Sequence, residues 1–202
     1  MADATAKNPS LSSYYVGNDF YQDLVDGFTD WQTDAREVTD IDLRESCRRL
    51  VEKEARLLDA VALDIKALDD WLALFAPECI YWVPASPDGG DPRREIAVSF
   101  DDRRRLEDRI FRLKSDYAWS QNPRSRTARL VSNVSVFSTD DPAVFMVRSN
   151  FLTTELQAGD KRVYTGWTGH RIREKGAGWE ILVKQINLID CDRNLRNPSI
   201  VL

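Results

Sequence analysis

The chain has 202 residues, 43% of them hydrophobic and 30% charged, with a net charge of −5. That is enough for one globular domain with a buried core, and the balance excludes a disordered chain. Residues 1–40 carry eight acidic and two basic side chains, so they form an acidic arm on a nearly neutral body; neither part suits a nucleic-acid binder, which needs a basic surface.

In chain order, Asp19 can cap a short helix, with Gln22 at capping-box spacing. Phe20, Leu24, Phe28 and Trp31 would share one face of it. Such a helix either folds onto its own domain or lays Phe28 and Trp31 on a partner as aromatic anchors. A stronger helix begins near Asp40 or Asp42, with Leu43, Cys47, Leu50, Leu57, Leu58 and Val61 as its apolar stripe, interrupted by Lys53 and Glu54. A second helical run turns Ile65, Leu68, Trp71, Leu72 and Phe75 inward and stops at Pro77. Cys79–Val83 reads as a strand ended by Pro84. A third helix runs from Asp101 to about Asp116, with Leu106, Ile110 and Leu113 on one face. Arg103, Arg104 and Arg105 lie on its solvated face, within pairing distance of Glu107 and Asp108.

The last third reads as four strands: 129–138, 143–156, 162–174 and 179–190, separated by tight turns. Short turns make consecutive strands antiparallel. Helices followed by a meander predict an α+β domain in which a curved sheet wraps the helices. The expected organisation is an arm over 1–40 with a short amphipathic helix, then one domain over 41–202.

The chain contains one histidine, His170, and three widely spaced cysteines, Cys47, Cys79 and Cys191. A Rieske cluster needs two of each, a mononuclear iron site needs two histidines and a carboxylate, and no cysteine pair has zinc-site spacing. Asp88-Gly89-Gly90-Asp91 precedes a proline and reads as a turn, not a phosphate loop. No metal or cofactor is therefore expected in this chain. The N-terminus lacks the apolar core of a signal peptide, and the longest apolar stretch, Trp71–Ala76, is too short to span a bilayer. With the cysteine pattern, this makes a cytoplasmic, membrane-free setting the expectation.

Four segments occur in order that resemble the small (β) subunits of bacterial aromatic-ring-hydroxylating dioxygenases: EKEARLLD (52–59), DDWLALFAPECIYWVPA (69–85), DDRRRLEDRIFRLKSDYAWSQNPRSRTARLVSNVSV (101–136) and GWEILVKQINLIDCDRNLRN (178–197). The resemblance begins near residue 42 and does not reach the arm. It implies the cone-shaped, nuclear-transport-factor-2-like (cystatin-like) α+β fold with a mainly antiparallel sheet. It also implies a structural role beside a large α subunit that holds a [2Fe-2S] Rieske cluster and mononuclear Fe(II). Electrons from NAD(P)H would reach α through a reductase, with or without a ferredoxin, for hydroxylation of an aromatic ring. The assembly implied is α3β3 on a β trimer, closing a head-to-tail ring of α subunits.

The candidate interface residues are Tyr81 and Trp82, read as an exposed aromatic edge, and Trp119 with Arg124, Arg126 and Arg129, a Trp/Arg mixture typical of hot spots. The competing reading of each cluster is core aromatics beside solvated arginines. His170 shares a strand face with Tyr164, Thr168 and Ile172. It is read as a hydrogen-bonded structural residue; the alternative is a general base of a stand-alone isomerase or dehydratase, or a ligand-binding module of the same fold.

Overall fold

The structure, a computed structural model, describes residues 17–27, 31–87, 89–115 and 118–202, except the side chains of Asn18, Tyr21 and Val25. Phe28, Asp88 and Asp116, named above, lie outside the described residues. Among the described residues there are four α-helices, α1 (Asn18–Gly27), α2 (Ile41–Ala60), α3 (Ala67–Leu72) and α4 (Arg103–Lys114). Six strands form one sheet: β1 (Phe75–Pro84), β2 (Ala97–Asp102), β3 (Arg126–Ser138), β4 (Val144–Gln157), β5 (Asp160–Lys175) and β6 (Gly178–Leu188). Their order is β2-β1-β6-β5-β4-β3, and only the β1/β6 pair is parallel. This is the expected α+β architecture with a mainly antiparallel sheet.

Local chemistry explains most boundaries. The Asp40 carboxylate accepts from Leu43 N at 2.8 Å and starts α2. Asp102 does the same for α4 through Arg105 N at 2.9 Å, one residue later than the expected start. The β4/β5 hairpin closes in two residues, Ala158 and Gly159, both at positive φ, as the twist of a tight hairpin requires.

The second helical run is shorter than its periodicity suggested. α3 ends at Leu72, and Phe75 already belongs to β1, with Pro77 inside the strand. Pro77 is tolerated because the β1/β6 register breaks between Phe75 and Ile80, where no ladder donor is needed. The short strand β2 was not anticipated. It pairs with β1 and places that strand in the sheet interior.

Helices cover the inner face of the sheet, and the chain also covers part of the outer face. Along β1, Tyr81 and Val83 join the main core with Leu50, Leu58, Trp71, Leu106 and Ile110 of the helices. Their alternate neighbours, Ile80 and Trp82, point the other way and pack with Leu24 of α1. Farther along that face Trp31 meets Phe137 edge-on, with ring centroids 5.3 Å apart, beside Met146 and Trp167. Of the expected arm face, Leu24 is buried and Phe20 half-buried in one cluster, while Trp31 sits in another, beyond the end of α1. Ion pairs of Arg171 with Asp23 (2.7 Å) and Arg36 with Asp140 (3.0 Å) add tethers. Trp31 is therefore spent on the chain's own sheet, which corrects its reading as a partner anchor.

Leu24 has no exposed surface, so Leu24→Ala should cost about 2–5 kcal/mol, whereas Ile41→Ala at an exposed position should cost under about 0.5 kcal/mol. Urea denaturation of the two variants measures both. Equal midpoints would mean that α1 does not pack on the sheet in solution.

Candidate functional site

The chemistry-bearing side chains converge on the inner face of the sheet. Glu54 follows Leu50 and precedes Leu58 at four-residue spacing, so α2 carries it inward with its apolar stripe. His170 on β5 and Lys184 on β6 are direct cross-strand partners. Glu54 joins them: its Oε2 lies 2.9 Å from His170 Nε2, and its Oε1 accepts from Lys184 Nζ at 2.7 Å and from Trp71 Nε1 at 3.0 Å. All four side chains are buried. Lys184 also donates to the Leu202 carbonyl at 2.7 Å. The Tyr81 hydroxyl accepts from Leu202 N at 3.0 Å.

Burial by itself would push the Glu54 carboxyl up. The Lys184 charge and the His170 contact outweigh it and hold the group at about 2. Burial holds Lys184 below its ordinary value, and Glu54 opposes that shift without cancelling it. Burial also raises the Tyr81 phenol to about 12. Glu54 is therefore a charged, fully partnered carboxylate and not a base waiting for a proton.

A carboxylate, an imidazole and an amine within one contact shell could serve acid–base chemistry if a substrate could reach them. The cavity beside them is about 30 Å³, lined by Glu54, Ser149, Thr168, His170, Lys184 and Leu202 among others. Ligand pockets run to roughly 300–1,000 Å³. The centre has room for water and not for an aromatic ring, so its geometry supports structure over turnover.

Other sequence candidates fall elsewhere. Tyr81 and Trp82 are 2% and 3% exposed, which overturns the expected exposed edge. β1 lies between two strands with both faces packed, and nothing in its own sequence announces β2. Trp119 stands 78% exposed on a short turn, and Arg124 and Arg126 are exposed nearby. Arg129 parts from this group: its side chain is 6% exposed and pairs with Asp59 at 2.5 Å, while Asp59 also accepts from Arg129 N and Thr127 Oγ1. It stitches β3 to the end of α2, which corrects its reading as an interface residue. On α4, Arg103 and Arg104 pair with Glu107 and Asp108 as spacing implied. Arg103 further donates to the Leu72 carbonyl at the end of α3 and to the Phe75 carbonyl at the start of β1.

Glu54 and Lys184 are the two site residues not predicted from the sequence, where Glu54 only interrupts the apolar stripe of α2. Each had a signal: an ionisable residue at a position whose spacing or apolar neighbours point inward must have a partner.

The described residues do not fit an iron site. Cys47, Cys79 and Cys191 are buried, and desolvation pushes the Cys47 and Cys79 thiols up to about 12, away from the thiolate that a metal requires. Among the described residues no three His, Cys, Asp or Glu side chains converge as ligands. No described helix is long and apolar enough to cross a membrane.

Residues 53–192 match the family described as ring hydroxylating beta subunit. The chain is 33% identical to the benzoate 1,2-dioxygenase subunit beta of Acinetobacter baylyi over 149 residues, covering 71% of this chain and 85% of the relative. It is 34% identical to the small oxygenase component of the p-cumate 2,3-dioxygenase system of Pseudomonas putida over 129 residues, 63% and 71% of the two chains. Among solved structures, the beta subunit of benzoate 1,2-dioxygenase from Burkholderia mallei aligns with a TM-score of 0.63 at 25% identity, over 81% of this chain and 99% of that one. A naphthalene 1,2-dioxygenase structure aligns with a TM-score of 0.69 at 19% identity, over 82% and 88% of the two chains, a likeness of fold.

Glu54→Gln should destabilise the chain by about 3–5 kcal/mol, because Lys184 is left buried without its counter-charge. The Glu54 carboxyl sits at about 2 when folded, below its ordinary 4.5. Its contribution is therefore complete above about pH 4.5 and disappears as pH falls towards 2. Chemical denaturation across that window should show a shallower acid loss for Glu54→Gln than for the wild type; parallel curves would contradict the assignment.

Proposed function

The chain belongs to the ring hydroxylating beta subunit family, the small subunits of aromatic-ring dioxygenase systems, and from that we propose that it organises an oxygenase whose chemistry is performed by a larger partner. The observation that carries this reading is the use made of the interior. The one histidine and the buried carboxylate and amine are committed to each other in a space too small for a substrate. A subunit of this kind contributes surfaces rather than reacting groups.

On this reading the large α subunit holds the [2Fe-2S] Rieske cluster and the mononuclear Fe(II). Electrons from NAD(P)H reach it through a reductase, with or without a ferredoxin, in the cytoplasm. The assembly is α3β3, with a β trimer that fixes the spacing of the α ring. Trp119, Arg124 and Arg126 are proposed as subunit contacts; they are exposed, and an aromatic ring beside guanidinium groups is the usual make-up of an interface hot spot. Residues 17–27 and the stretch around Trp31 would cover part of the outer face of the sheet as part of the subunit. Two curated relatives are named for p-cumate and benzoate dioxygenation, which favours an aromatic carboxylate as the substrate handled by α.

Co-expression with a large α oxygenase subunit should yield a complex of hexamer mass in light scattering, with iron following α alone. The doubly substituted Trp119→Ala, Arg126→Glu chain should assemble at least about tenfold more weakly while folding normally. A β chain that purifies with one iron of its own, or an α that is fully active without it, would overturn the reading; an unaffected double variant would remove these contacts from the interface.

His170→Ala should leave turnover of the assembled oxygenase within several-fold of wild type. The same change should lower stability of the isolated chain by about 1–3 kcal/mol, because Glu54 loses one of its buried partners. Abolished turnover in an intact complex would instead place His170 in the reaction.

A further inference from the structure

The segment that follows β6 turns back into the molecule. Asn197 is buried and donates to Glu155 Oε1 at 2.6 Å, and this carboxylate also accepts from Tyr164 at 2.8 Å and Arg162 at 3.2 Å. Beyond this anchor Ile200, Val201 and Leu202 are all buried in the main core. None of the three belongs to a helix or strand, so their main-chain groups need partners outside any ladder. Ile200 N donates to the Asn197 carbonyl, and side chains from three strands reach Val201 and Leu202. Tyr81 of β1 accepts from Leu202 N, Lys184 of β6 donates to the Leu202 carbonyl, and Arg129 of β3 donates to the Val201 carbonyl at 2.5 Å. Main-chain atoms read by polar side chains, with apolar side chains taken into the core, make the working arrangement of a peptide-binding site.

We propose that the inner face of the sheet is a binding site for a short apolar peptide, and that its occupant is this chain's own segment Ser199–Leu202. The occupant closes the interior over Glu54, His170 and Lys184, because Leu202 itself lines the small cavity beside them. A buried acid–imidazole–amine set is thereby kept from meeting small molecules.

The test uses the full chain with a specific protease site inserted between Asn194 and Leu195, in a stretch where Asn194 and Arg196 are exposed. The folded protein is cut, passed through gel filtration and challenged with a labelled synthetic peptide of residues 196–202. The cut segment should stay with the body, and the labelled peptide should replace it saturably. Tyr81→Phe in the same cut protein keeps the ring and removes the hydroxyl. It should speed peptide release by about tenfold, an effect that a purely apolar plug would not show. A body that stays folded yet sheds the segment and takes up no peptide would overturn the proposal. So would release unchanged by Tyr81→Phe, or a cut body that unfolds and is not restored by excess peptide.

Discussion

One buried carboxylate ties the two layers of this protein together. Glu54 projects from the middle of α2 and meets an indole from α3, an imidazole from β5 and an amine from β6. An isolated charge in such a place would cost many kcal/mol, so it is tolerated only when every partner is in position. Apolar packing between a helix and a sheet is forgiving of small sliding motions. A shared ion with three directional partners is not, and it selects one register of α2 against β5 and β6.

That commitment shapes what the interior can do. The groups that would interest an enzymologist are the ones that hold the layers together, and the segment after β6 fills the remaining space. A second buried carboxylate, Glu155, repeats the device farther along the sheet, where Ser125, Tyr164, Arg162 and Asn197 surround it. Hydrogen bonds to the charged form outweigh the effect of burial there and lower the Glu155 carboxyl below its ordinary value. Both centres use polar groups to define a single packing of helices on the sheet.

The outer face follows a different logic. α1 and the stretch around Trp31 cover part of it with aromatic and aliphatic side chains. Leu130 on β3 and its cross-strand partner Leu152 on β4 remain exposed. The chain thus supplies its own cover for one part of the sheet and presents the other part outward, together with Trp119 on its turn.

The residues read in order were enough for every α-helix and strand in the described chain except β2, for the hairpin meander, a start of α2 near Asp40 or Asp42, the scarcity of metal ligands and, through four ordered segments, the family. These are properties of local spacing and of inventory, and a linear reading is sufficient for both. It is the folded sheet that joins β2 to β1 and buries Tyr81 and Trp82, because strand neighbours far apart in the chain leave no local mark. It also decided that Arg129 faces Asp59 while Arg126 faces solvent, a matter of which side of β3 meets α2. The centre at Glu54 lay between these extremes. The spacing of Leu50, Glu54 and Leu58 already turned the carboxylate inward, but its partners come from residues 71, 170 and 184, and only the folded sheet brings those to one point.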